Sequence, residues 1–360
     1  MAAHSTLPSG PNRPARRLRD AAVLAVLAPF VAEVVTSSNT PAIQFPVVGI
    51  LLVLIYGLPA LLIRELWMRR WIGWPGFVVL GVSYTALNEG VIAATWFKLT
   101  PEHDKVLVFT AEQAGRSVGG LNGTLALNLS VYHTIWSMLI PIVLMEAWST
   151  RGRGRPWLSG RAMSGCALLV GFVVVGSLSD KATARVCAAR LRAVSDECAS
   201  GRRGAAVFLV VGIVVALLLP RLRSAPGPGA GRSAPGPGAG RSGRPPDAAL
   251  AWLGAGFSIA FLVSYFILPL SGHAEASKVM AVVLFVVAVA AVVTWSRSRS
   301  WDLHAAVMLV VGAMIPGMLS SIKAFLVLQP VAVALFVWFF LRVAVRRSRQ
   351  PAELSSGDAG

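Results

Sequence analysis

The sequence is short of charge, and shortest of acidic charge. Only 14% of its 360 residues are charged, and 16 of them are Asp or Glu against 33 Lys or Arg. A soluble domain keeps about a quarter of its residues charged to hold its surface in water, so a soluble globular fold is excluded. Lys and Arg are also missing from the middle of every long apolar run. A formal net charge of +17 would otherwise suggest nucleic acid as a partner. The basic residues instead cluster just outside the apolar runs, which is the signature of membrane topology, and nucleic acid is excluded. The chain ahead of the first run lacks a small-residue cleavage site, so no removable signal peptide is expected.

What is present is apolar: 55% of residues are hydrophobic and the mean hydropathy is +0.67. Ten runs stand out, at 20–38, 45–63, 74–97, 126–147, 162–179, 204–220, 248–270, 278–296, 303–321 and 324–343. Each is near the ~20 residues with which a helix crosses ~30 Å of hydrocarbon. With both termini inside, 22 of the 33 basic residues fall on the cytoplasmic side and 11 outside, as the positive-inside rule requires. The fold expected is all-α, a polytopic transmembrane helix bundle of about ten spans with both termini cytoplasmic and the lipid bilayer as its surroundings. Arg outnumbers Lys, and Ala, Gly, Val and Pro abound, a bias of high-GC bacterial genes that points to a bacterial plasma membrane.

The chain divides into a basic N-terminus at 1–19, a six-span bundle at 20–220, a linker at 221–247, a four-span bundle at 248–343 and a disordered tail at 344–360. The linker repeats SAPGPGAGR at 224–232 and 233–241, a composition that cannot bury a core. The loop 180–203 is basic, against its outside placement, but it also holds Cys187 and Cys198. An exported loop is where a disulfide between them would persist. Cys166 reads as a small apolar residue of the fifth span.

Three carboxylates fall inside spans: Glu33, Glu89 and Glu146. An ionisable residue in the membrane costs at least ~2.5–3.5 kcal/mol and is a functional hypothesis by default. Glu146 lies at the cytoplasmic end of its span beside Trp148 and Arg151, where it can reach the interface. At ~1.5 Å per residue, Glu89 lies ~22 Å and Glu33 ~20 Å from the inner ends of their spans, and His133 ~10 Å below the outer start of its own. All three therefore share one level in the outer part of the bilayer. Asn88 adjoins Glu89, while Tyr84 and Ser137 lie about a turn from the cluster on their helices. Pro29, one turn before Glu33, frees a backbone carbonyl. Two carboxylates and an imidazole could ligate Zn²⁺, pass protons, or serve as hydrogen-bonded glue between helices.

Residues 23–148 resemble a group of actinobacterial multi-span membrane proteins. The likeness is carried by Leu27 to Glu33, Leu61 to Glu65, Gly73-Trp74-Pro75, Asn88-Glu89-Gly90, His133 and Trp136-Ser137. A more distant resemblance is to the CaaX-protease and bacteriocin-processing family of intramembrane metalloproteases. That family has a Glu-Glu pair with Arg four residues on, a Phe-x-x-x-His, and a second His on a later helix. Here the pair is Asn88-Glu89, Ala93 stands at the Arg position, Leu129 precedes His133, and no matching second His follows. The resemblance implies Glu89 and His133 as catalytic residues, with Glu33, Glu89 and His133 around Zn²⁺. Three readings thus stand open: a metalloprotease-like enzyme, a proton- or cation-coupled transporter, and a non-catalytic scaffold with a structural cluster.

Overall fold

The computed structural model describes residues 13–35, 45–97, 121–149, 153–190, 195–219, 246–268, 271–297, 303–320, 336, 338 and 341–348. Among these residues the elements are helical throughout and no strand occurs. The helices are α1 (Arg13–Pro29), α2 (Phe45–Leu52), α3 (Leu58–Met68), α4 (Trp74–Thr85), α5 (Gly123–Tyr132), α6 (Ile140–Trp148) and α7 (Gly160–Ser177). They continue with α8 (Asp180–Arg190), α9 (Ser195–Leu218), α10 (Asp247–Leu262), α11 (Ala274–Arg297), α12 (Leu303–Ser320) and α13 (Arg342–Ser348).

Several of these pieces form single rods joined by wider, π-helical turns. α1 runs on through Phe30–Val35, α2 and α3 are joined by Val53–Gly57, α4 runs on through Ala86–Ile92, and α5 and α6 are joined by His133–Leu139. α10 likewise runs on through Val263–Ile267. The first nine expected runs therefore coincide with helices. Of the tenth run, 324–343, only residues 336, 338 and 341–343 are described, and the linker repeat and residues 98–120 lie outside the described residues. Among the described residues five helices are long and apolar enough to cross a membrane: Phe45–Met68, Gly123–Trp148, Gly160–Ser177, Cys198–Leu218 and Asp247–Tyr265.

The first helix starts within the basic N-terminal flank, at Arg13, and the helix Arg342–Ser348 includes the first residues of the tail. At the N-terminus the Arg-rich flank extends a helix whose apolar part lies in the bundle, because Arg is a good helix former.

The rod α1 and the rods α2–α3, α4 and α5–α6 form the centre, and their inward faces supply most of the buried apolar residues. α7, by contrast, buries no residue at all, and Phe172 is 77% exposed. Together with Val207 of α9 and Val279 of α11, each 63% exposed, it forms an apolar belt suited to hydrocarbon rather than water. Close backbone approach replaces side-chain interdigitation where the rods cross. A Cβ on Gly57 would meet the backbone of Ala25, and one on Gly254 would meet the carbonyl of Leu309. Small residues at such crossings are how helices pack when the solvent is as apolar as the core.

Candidate functional site

Four π-helical turns on four different rods carry the residues of one buried polar cluster. Phe30–Val35 holds Glu33, Val53–Gly57 holds Tyr56, Ala86–Ile92 holds Asn88 and Glu89, and His133–Leu139 holds His133 and Ser137. Proline accounts for two of these turns and stands beside a third. Pro29 immediately precedes the first, while Pro59 and Pro141 follow two residues after the second and the fourth. A proline ring lacks an N–H and crowds the carbonyl four residues back, so the ladder widens locally. In the third turn the N–H of Ala93 donates to the carbonyl of Asn88, five residues earlier, at 2.8 Å. Such bulges turn side chains off the regular helical stripe and recur at functional sites.

The turns bring these side chains into one buried network. His133 Nε2 and Glu89 Oε1 are 2.8 Å apart, and His133 Nδ1 and Ser137 Oγ are 2.8 Å apart. Asn88 Nδ2 donates to Glu89 Oε1 at 2.9 Å and to the hydroxyl of Tyr56 at 3.0 Å. Tyr56 in turn donates to Glu33 Oε1, and Thr95 donates to Glu89 Oε2. A chain of hydrogen bonds therefore runs Glu33, Tyr56, Asn88, Glu89, His133, Ser137. Its members are all buried, with Glu89 at 9% and His133 at 2% exposure.

The residues expected at one level do meet, though not around one point. Glu89 and His133 touch directly, and Glu33 is linked to them through Tyr56 and Asn88. Among the described residues no three His, Cys, Asp or Glu side chains stand together as a metal site. Glu33, Glu89 and His133, the residues expected around Zn²⁺, thus belong to one hydrogen-bonded network. Asn88 and Ser137 bond the cluster directly. Tyr84 packs its ring against His133, centroids 5.6 Å apart, while its buried hydroxyl finds no hydrogen-bond partner.

The arrangement suits a mobile proton. With Glu89 ionised and His133 neutral, Nε2–H donates to Glu89 and Ser137 donates to Nδ1. With one more proton on the pair, either Glu89 or His133 carries it and Nδ1–H donates to Ser137. Every hydrogen bond survives the change, so uptake of a proton leaves no buried group stranded. Rings of Tyr132, Tyr84 and Tyr56, with centroids 5.0, 5.6 and 6.0 Å from His133, present π-faces and edges that tolerate a charged imidazole.

A second charged group lies near the other ends of α3 and α6, and sequence reasoning missed it. Glu146 does not reach the interface: it is 0% exposed and pairs with Arg64, whose Nε and Nη2 donate to Glu146 Oε1 at 2.8 and 2.5 Å. Arg64 Nη1 also donates to Glu65 Oε1 at 2.9 Å, and its guanidinium lies 3.2 Å from the centre of the Trp157 ring. The loop after α6 closes the group, with Gly154 N–H donating to Glu146 Oε2 and Trp157 N–H to Glu65 Oε1. Burial lowers the proton affinity of the neighbouring Arg153 guanidinium, and Glu146 opposes that shift. The helix Phe45–Met68 is longer than the expected span ending at 63, which is why Arg64 looked like a loop residue.

Cys187 and Cys198 are bonded to each other, their Cα atoms 5.9 Å apart, and the bridge ties α8 to the start of α9. Cys166 is free and half-buried.

Residues 22–358 match a family described as an uncharacterized membrane protein family. No curated protein and no solved structure matches the chain.

Proposed function

We propose that this chain, which belongs to that uncharacterized membrane protein family, is a proton-coupled transporter in which the Glu89–His133 pair takes up and releases the coupling proton. The observation that carries the reading is the unbroken hydrogen-bond chain from Glu33 through Tyr56 and Asn88 to Glu89, His133 and Ser137. A purely structural cluster needs satisfied bonds in one protonation state; this one keeps them in two. A metalloprotease reading is less favoured, since it needs ligands converging on one ion and no three His, Cys, Asp or Glu side chains group in that way among the described residues.

The reading includes the full topology: about ten spans, both termini cytoplasmic, and a six-plus-four division about the linker, in a bacterial plasma membrane. Its support is the coincidence of helices with nine of the ten apolar runs and the basic flanks around them. It assigns the Cys187–Cys198 bridge to the outer side.

The test is solid-supported-membrane electrophysiology on proteoliposomes, with a panel of small solutes applied across an imposed pH gradient. The expected outcome is solute-evoked current in wild type that disappears in Glu89→Gln. Infrared difference spectra on stepping pH should show a protonated-carboxyl band that Glu89→Gln removes. Spectra identical in wild type and Glu89→Gln, with no solute evoking current, would overturn the reading.

A further inference from the structure

We propose that the apolar cavity at the seam between the two halves is a binding site for one acyl chain of a bilayer lipid. This site is separate from the proton network and stands whether or not the transporter reading holds. The cavity has a volume of about 250 Å³. Phe77 of α4 with Val131 and Thr134 of the α5–α6 rod wall one side, and Phe257 of α10, Phe285 of α11 and Val310 of α12 wall the other.

Three observations identify the occupant. First, the cavity exceeds the ~150 Å³ at which an apolar protein cavity already takes up a benzene-sized guest, so it is large enough to host part of a hydrocarbon chain. Second, water does not suit it. Thr134 supplies the one hydroxyl of the wall, its oxygen has no hydrogen-bond partner, and it cannot alone provide the about two to four bonds that hold a buried water. Third, the cavity opens onto the lipid-facing belt. Leu253 and Val287 belong both to its wall and to the exposed apolar surface, at 56% and 51% exposure. The medium at that mouth is hydrocarbon, and an acyl chain can enter without crossing a polar rim. The lining residues from both halves would then be joined by a lipid chain packed between them.

Photolabelling tests this. The full chain is placed in nanodiscs of phosphatidylcholine bearing a diazirine near the end of one acyl chain, irradiated, digested and mapped by mass spectrometry. Annular lipid can reach Trp252, which is 75% exposed, but not Val131 or Val310, which are 1% and 3% exposed. The expected result is label on Val131 and Val310 as well as on Trp252. Ala306→Phe, which fills the cavity from α12, should lose the label at Val131 and keep it at Trp252. Label confined to exposed residues in wild type overturns the proposal, and so does wall label unchanged by filling. If Ala306→Phe does not fold, Ala288→Leu narrows the same cavity from a half-buried position, and the wild-type map stands by itself.

Discussion

A guanidinium with no exposed surface survives in a membrane bundle only when its neighbours take over the bonds that water would make. Arg64 meets that condition: Glu146, Glu65, the carbonyl of Arg155 and the face of Trp157 surround it. Removing one partner of such a group leaves the others as uncompensated buried charge. Arg64→Met should therefore cost about 3–5 kcal/mol, seen as a large drop in melting temperature in detergent. The triple change Arg64→Met, Glu65→Gln and Glu146→Leu should recover much of the loss; an Arg64→Met protein melting with wild type would show the charges to be hydrated instead. At this scale the sequence was half legible. Glu33, Glu89 and His133 stood out because ionisable residues are rare in apolar runs. Tyr56, Thr95 and Trp157, which complete the two networks, did not, because Tyr, Thr and Trp are ordinary in and near spans and only their contacts single them out.

Helix ends and helix irregularities decide where those residues point. Arg202, 1% exposed, donates from Nε and Nη2 to the carbonyl of Val91 and from Nη2 to that of Ser177. It thereby caps the C-terminal ends of the α4 rod and of α7, where carbonyls lack helical partners and the helix dipole favours a cation. Arg202→Gln should cost about 1.5–3 kcal/mol, the range for hydrogen bonds to a charged group, and Arg202→Lys should recover less than half because a flexible ammonium lacks the rigid planar fork that spans the two carbonyls. Thermal unfolding of the two variants side by side checks both statements. The π-helical turns make a different prediction. Pro141→Ala restores an N–H that can bond the carbonyl of Ser137, drawing the turn His133–Leu139 toward a regular helix and rotating His133 off Glu89. The melting temperature should hold or rise while the pH-dependent carboxyl band of Glu89 shifts; a higher melting temperature with an unchanged band would separate the turn from the pair. The helices themselves were legible from apolar run lengths, and Pro29 announced a disturbed ladder. The widened turns were not, because no residue pattern distinguishes a proline that kinks a helix from one that widens it.

At the scale of the whole molecule the question is what holds the two halves together. One answer is the linker 221–247; the other is the seam. Across the seam Asn128 of α5 donates to Ser277 of α11 at 3.3 Å and accepts from Ser264 of the α10 rod at 3.0 Å. Ser277 donates its hydroxyl to the Ser264 carbonyl at 2.7 Å, and the single hydroxyl proton of Ser264 is shared between Asn128 and the Ser277 carbonyl, 3.1 Å away. All three residues are fully buried. This junction was invisible in the sequence, where one Asn and two Ser in separate spans carry no mark of partnership, whereas the Pro/Gly/Ala repeat of the linker was conspicuous. The physics reverses that prominence. A tether whose Pro/Gly/Ala composition cannot bury a core contributes through chain entropy, which changes by about 0.6 kcal/mol per doubling of its length, so deleting one SAPGPGAGR copy at 233–241 should move stability by a few tenths of that unit at most. Asn128→Leu removes two interhelical bonds, each worth about 0.6 kcal/mol in a membrane and up to about 1.7, and leaves Ser264 and Ser277 to satisfy one another. Its melting temperature should fall below that of the deletion variant, and limited proteolysis should cut the loop between α10 and α11 sooner. If the deletion variant proved the weaker of the two, the linker would have to make contacts that its composition does not foretell.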